Sequence, residues 1–124
     1  MTPEQKIKWL ILIRDAEFYG NTPPENVTAE NIDDLYDEAE DVSDARYEVR
    51  EVEVETGLPS ECSRHYESKA VAAKLPDGSW VGWTYWYGGG KHGEPESIDW
   101  MDEAYHINVI EEEKLMIVRT FAVA

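Results

Sequence analysis

The chain is poor in cysteine and has no long apolar run. Cys62 is the single cysteine, so no disulfide can form within one chain. The longest apolar run, Trp9–Ile13, has five residues, whereas about 20 are needed to cross a bilayer. A secretory signal begins with a charged stretch that is followed by an apolar stretch and then by small residues. The start of this sequence does not show that order. We therefore expect a cytoplasmic protein without a membrane span.

Basic residues are also scarce. Acidic residues outnumber them 27 to 11, which gives a net charge of −16, and residues 1–56 contribute −11 of it. Such a field repels phosphate backbones and anionic lipids. We therefore expect no direct binding to nucleic acid or membrane, and we expect basic partners, including proteins that bind nucleic acid. Acidity that serves only solubility is the alternative.

Helical signals fill residues 1–57. Thr2 and Gln5 form a capping box around Pro3, which predicts a helix from about Pro3 to Tyr19. Thr28 is the predicted cap of a second helix, with apolar residues at the spacing of one buried face: Ile32, Leu35, Tyr36 and Ala39. Ser43 predicts the start of a third helical stretch, after which a strand is possible around Val52 and Val54.

The periodicity changes from helical to alternating after Pro59. Residues 66–75 and 79–87 flank the turn sequence Pro76-Asp77-Gly78, which predicts a β-hairpin. A second hairpin is predicted from Tyr105–Ile110 and Leu115–Val123 around residues 111–114. Helices followed by strands predict one α+β domain, with an acidic helical half (1–57) and a β-rich half (58–124). The helices should pack on one face of a roughly four-stranded antiparallel sheet.

The acidic run is the first candidate binding surface. Seven carboxylates lie within twelve residues without a Lys or Arg: Asp33, Asp34, Asp37, Glu38, Glu40, Asp41 and Asp44. The spacing predicts that Asp33, Asp37, Asp41 and Asp44 lie along one side of a helix. Carboxylates fixed this way can imitate the phosphates of DNA, although a solvated face without a partner explains them too. No calcium site is expected, because the sequence of an EF-hand loop is absent.

An aromatic strand and the glycine-rich loop after it form the second candidate surface. Its residues are Trp83, Tyr85, Tyr87, Lys91, His92, Glu94 and Glu96. Aromatic side chains are enriched where proteins bind one another, so an assembly module and a homodimer are possible. Burial of the same aromatic side chains in the core is the alternative.

Enzyme chemistry has weaker support. Gly88-Gly89-Gly90-Lys91 lacks the Ser or Thr and the helix start of a phosphate-binding loop. His92 with Glu94, Glu96 and Asp99 could form an acid/base or metal site of a small hydrolase, but the usual spacings are not met. We assign no catalytic residue, no metal and no cofactor.

The run from Trp83 to Glu96, together with Asp99-Trp100-Met101 and Arg119-Thr120-Phe121, resembles small proteins encoded by phages and prophages of Gram-negative bacteria. The resemblance covers the C-terminal half and implies a context without any catalytic residue. Short acidic phage proteins often inhibit host nucleases, repair enzymes or defence complexes. The resemblance therefore implies a phage-type inhibitor that acts in the host cytosol on a basic, nucleic-acid-binding protein.

Overall fold

The computed structural model describes residues 1–51, 54–60, 63–90, 93–113 and 115–123. Within these ranges the elements are, in chain order, α1 (Pro3–Phe18), α2 (Ile32–Glu38), α3 (Ser43–Glu51), β1 (Val54–Glu55), β2 (Glu67–Lys74), β3 (Trp80–Tyr87) and β4 (Tyr105–His106). A 3₁₀ turn, Pro95–Ser97, precedes β4. The helices and the four-stranded antiparallel sheet confirm the predicted α+β class.

The first helix begins and ends close to the predicted residues. The Thr2 hydroxyl accepts the Gln5 N–H, and the Gln5 side chain accepts the Thr2 N–H, so both halves of the capping box are present. The helix ends at Phe18, and Gly20 follows with a φ of 69°. A left-handed glycine at this point is a common helix stop.

The second helix is shorter than predicted. Thr28 and Asn31 exchange side-chain hydrogen bonds with each other's N–H groups, and the helix begins one residue later at Ile32. It ends at Glu38, and Asp41 then accepts hydrogen bonds from Ser43, the first residue of α3. The prediction that one continuous helix side carries the acidic run is therefore wrong. Like charges three and four residues apart oppose a longer helix, and Asp41 instead accepts hydrogen bonds at the start of the next one.

The predicted first hairpin is confirmed. Strands β2 and β3 pair antiparallel over their full length, from Glu67 opposite Tyr87 to Lys74 opposite Trp80. The Asp77 carboxylate accepts hydrogen bonds from the Ser79 N–H and hydroxyl, and Gly78 has a φ of 88°. Only a glycine adopts that φ without strain, so the turn chemistry fixes the register of the hairpin.

The predicted second hairpin is wrong. Strand β4 has two residues and pairs with β3 only at Val81 and Gly82. Described residues 107–113 and 115–123 are not in a strand, and residue 114 lies outside the description. The sheet reaches four strands because β1 pairs with β2. This strand lies where the sequence allowed one around Val52 and Val54, although Val52 itself is outside the described residues. Strand-forming side chains do not suffice, because a strand also needs a partner edge.

The core lies between the helices and one face of the sheet. Val71 is directly opposite Trp83, so both side chains lie on the same face. The buried residues packed there are Ile7, Ile11, Ala45, Val49, Val71, Leu75, Val81, Trp83, Trp100 and Met101. The rings of Trp83 and Trp100 are 5.5 Å apart. This packing holds α1 and α3 on the sheet as predicted. No helix in the described ranges is long and apolar enough to span a membrane.

Candidate functional site

All seven predicted carboxylates of the acidic run are exposed, and we call them the acidic surface: Asp33, Asp34, Asp37, Glu38, Glu40, Asp41 and Asp44. They occupy α2, the connection after it and the first turn of α3. The wholly buried Ile32 and the nearly buried Ala45 anchor the two helices to the rest of the molecule. The carboxylates are therefore presented on a packed support.

Asp33 ties this surface to the first helix. The Lys8 ammonium lies 2.9 Å from its Oδ1, and the Gln5 amide donates to its Oδ2 at 3.1 Å. The hydrogen bond from Lys8, and then the one from Gln5, lowers the pKa of Asp33 below its ordinary value. The same pairing raises the pKa of Lys8. Asp33 is thus partly neutralised by groups of its own chain.

Asp41 also has a structural role. Its Oδ1 accepts the Ser43 N–H at 3.0 Å and the Ser43 hydroxyl at 2.5 Å, and these bonds lower the pKa of Asp41. The five other carboxylates of the acidic surface form no hydrogen bond or ion pair with a described side chain. Those five groups, Asp34, Asp37, Glu38, Glu40 and Asp44, are the ones free to meet a partner.

The aromatic strand contributes less surface than predicted. Trp83 is completely buried, so it belongs to the core and cannot contact a partner. Tyr85 and Tyr87 are partly buried and stack on each other with ring centroids 5.5 Å apart. The Lys69 ammonium lies over both rings, at 5.4 and 5.9 Å. Trp83, Tyr85 and Tyr87 thus lie on one face of β3. Trp83 packs in the core, and Lys69 covers the stacked rings of the two tyrosines.

The glycine-rich loop is a packed connection in its described part. Gly88, Gly89 and Gly90 all have φ between 69° and 87°, which favours glycine. A Cβ on Gly89 would lie 2.5 Å from the Tyr66 ring, so the close approach also requires glycine. The Tyr66 hydroxyl in turn accepts the Glu94 N–H at 3.3 Å.

The polar residues of the loop do not define a site in the described part. Glu94 and Glu96 are exposed, and Lys91 and His92 lie outside the described residues. Whether Lys91, His92 and Glu94 converge, as a working site would require, therefore stays a prediction. No three His, Cys, Asp or Glu side chains among the described residues are grouped so that they could hold a metal ion.

Sequence reasoning missed a cavity beside two arginines. It has a volume of about 270 Å³ and lies between α3 and the 3₁₀ turn, lined by Ser43, Arg46, Tyr47, Arg50, Glu96, Ser97 and Trp100. Arg50 is 4% exposed, donates a hydrogen bond to the Trp86 carbonyl, and stacks over Tyr85 at 4.8 Å. Arg46 and Arg50 are the two bases between residues 25 and 55. Two arginines one helical turn apart in so acidic a region were the feature of the sequence that could have indicated this cavity.

The described carboxylates of the acidic surface are solvent-facing, and the described histidines, His65 and His106, are exposed.

Comparisons of the chain with protein-family models, with curated proteins and with solved structures find no match in any of the three.

Proposed function

We propose that this protein acts by binding another macromolecule, with its acidic surface docked on a basic, nucleic-acid-binding surface of a host protein. In this proposal it is a phage-type inhibitor in the host cytosol that competes with DNA or RNA for the partner. The observation that carries the proposal is the exposure of all seven carboxylates, five of them without a hydrogen bond or ion pair to a described side chain.

The support under these carboxylates favours recognition over simple solvation. Asp33 is held to α1 by Lys8 and Gln5, and Asp41 fixes the start of α3. The free carboxylates between and beside them consequently need little further ordering when a partner binds, which reduces the entropy lost on association. A concentrated negative field also speeds encounter with a basic protein.

Two other candidate functions have less structural support than binding through the acidic surface. An assembly module on the aromatic sheet loses Trp83 to the core, which leaves the partly buried Tyr85 and Tyr87 as its aromatic contacts. A small hydrolase around His92 remains a prediction, because that residue lies outside the described part.

The test begins with capture of partners from a Gram-negative host lysate at low and at high salt. Duplex DNA is then used to compete with each captured protein. The proposal expects partners that are released by salt and displaced by DNA, because both conditions act on the same charge contacts. Partners that survive high salt and are indifferent to DNA would overturn it.

A matched pair of variants then locates the contact. Asp37→Asn with Glu38→Gln should weaken affinity about tenfold and flatten its salt dependence. Asp102→Asn with Glu103→Gln removes the same charge from exposed positions outside the acidic surface and should change affinity little. Equal effects of the two pairs would show that net charge alone matters, and the acidic surface would lose its assignment.

A further inference from the structure

The C-terminal tail, residues 107–113 and 115–123, exposes a dense set of apolar side chains. Seven large apolar side chains of the tail are each at least 83% exposed: Ile110, Leu115, Met116, Ile117, Val118, Phe121 and Val123. The buried core of the described residues contains side chains of the same kinds, such as Ile7 and Val71. Soluble monomers rarely leave so contiguous an apolar segment in water, and such segments usually mark an interface.

The tail has the composition of a strand that lacks a partner. Residues 115–123 are rich in β-branched and aromatic side chains, with neither glycine nor proline among them. The segment continues from β4, whose pairing with β3 ends after two residues. No backbone hydrogen bond is described for residues 115–123, and unpaired N–H and C=O groups favour pairing with another strand.

The tail is complementary to itself. In an antiparallel pair of identical tails centred on Met116, Leu115 of one copy lies opposite Ile117 of the other. The same register places Arg119 of each copy opposite Glu113 of the other, so two opposite-charge pairs form. Such a pair has twofold symmetry, the usual symmetry of protein dimers.

The size of the tail and its surroundings also fit a second copy. Nine residues in a strand would span about 30 Å, which is long enough for the pairing described above. An apolar groove of about 280 Å³ lies at the root of the tail, lined by Val54, Leu58, Trp80 and Val109. Val54 and Leu58 are more than half exposed there, so a second copy has further apolar surface to cover.

We propose that two copies of this chain form a dimer by antiparallel pairing of their C-terminal tails around Met116. The proposal does not depend on the function of the acidic surface. Residues 115–123 are all exposed in the single chain, and pairing supplies partners for their backbone groups.

The first test is the mass of the full chain by light scattering across a concentration series. The expected particle is twice the 14.2 kDa chain, and Ile117→Lys should convert it to the single chain. Phe18→Lys is the control, because Phe18 is exposed outside the tail and its substitution should leave the dimer intact. A wild-type single chain at every concentration, larger open-ended assemblies, or a dimer that survives Ile117→Lys would each overturn the proposal.

The second test concerns the register. Arg119→Glu and Glu113→Arg should each weaken the dimer by about tenfold, since each places like charges opposite one another twice. The double variant should restore it. In a Cys62→Ser background, Met116→Cys should form an intermolecular disulfide, and Thr120→Cys should not, because residue 120 lies opposite residue 112. Equal cross-linking of the two, or no restoration by the double variant, would rule out this pairing.

Discussion

Arg50 and Arg46 lie one turn apart on α3 but have different environments. Arg46 is exposed, whereas Arg50 is 4% exposed and donates to the Trp86 carbonyl at the end of β3. Its guanidinium also lies over the Tyr85 ring and 3.6 Å from the Glu51 carboxylate. A buried cation is stable only when such partners replace its water. Arg50 therefore joins the third helix to the sheet.

The two arginines give a matched test of this role. Arg50→Ala should lower the free energy of unfolding by about 2–4 kcal/mol, because it removes packed methylene groups and leaves the Trp86 carbonyl without its donor. Arg46→Ala should change it by no more than about 0.5 kcal/mol. Urea unfolding of both variants measures the difference. Similar losses for the two variants would contradict the assignment of Arg50 as the buried link.

Asp33 predicts a specific dependence on pH. Its pKa is lowered in the folded protein by the hydrogen bond from Lys8 and then by the one from Gln5. A carboxylate with a lowered folded pKa stabilises the fold above its unfolded pKa, and that contribution is lost as pH falls through the folded pKa. The wild type should therefore lose stability relative to Asp33→Asn as the pH falls from 5 to 3. Thermal unfolding of both proteins across this range measures it.

The stability of the wild type is compared with that of Asp33→Asn because other carboxylates titrate in the same pH range. Asp41 and Asp77 also have lowered pKa values, each through hydrogen bonds from a serine two residues later. Both remain in the Asp33→Asn variant, so they cancel in the difference. A difference that does not change with pH would show that the Lys8–Asp33 pair contributes nothing to folding.

Among the elements, those with local signals could be predicted from the sequence. The first helix and the first hairpin carry their start, stop and turn residues within a few positions, at Thr2, Gly20 and Gly78. The prediction for the second helix failed at its end, where repulsion between neighbouring carboxylates and the hydrogen bonds from Ser43 to Asp41 outweigh the apolar periodicity. The second hairpin failed because a strand depends on a distant partner edge, and residues 115–123 pair with none in the described part of the chain.

The short pairing of β3 with β4 depends on a glycine that looks replaceable in the sequence. A Cβ on Gly82 would lie 2.5 Å from the Tyr105 ring, which packs directly against the glycine. Gly82→Ala should therefore cost about 1–3 kcal/mol of stability by overpacking. In a Tyr105→Ala background the same change should cost clearly less. A double-mutant cycle by chemical denaturation tests this, and additive effects would contradict it.

For the molecule as a whole, the acidic surface was the part of the candidate site that the sequence could predict. A run of carboxylates without bases must stay largely in water, and the structure exposes all seven. The burial of Arg50 was not predictable, since it depends on which carbonyl lies across the core, whereas burial of Trp83 agrees with the core alternative for the aromatic strand. The two residues of the loop prediction that matter most, Lys91 and His92, lie outside the described part.

The net charge of −16 predicts that salt stabilises this protein. Folding brings the carboxylates closer together, and only four ion pairs link described side chains. Because the screening length falls from about 30 Å at 0.01 M to about 8 Å at 0.15 M salt, repulsion should weaken and the melting temperature should rise by roughly 3–6 °C. Sodium chloride is the suitable salt, since sulfate stabilises proteins by exclusion from their surface.

Two comparisons isolate the source of this effect. Measurement in the Ile117→Lys background removes any contribution from association of copies, which would also raise the melting temperature. Within that background, Asp37→Asn with Glu38→Gln should reduce the rise more than Asp102→Asn with Glu103→Gln. Both pairs remove two charges, but the first lies where the carboxylates are densest. A melting temperature that falls with salt would mean that attractive pairs such as Lys8 with Asp33 outweigh the repulsion, and that the acidic surface carries no electrostatic strain for a basic partner to relieve.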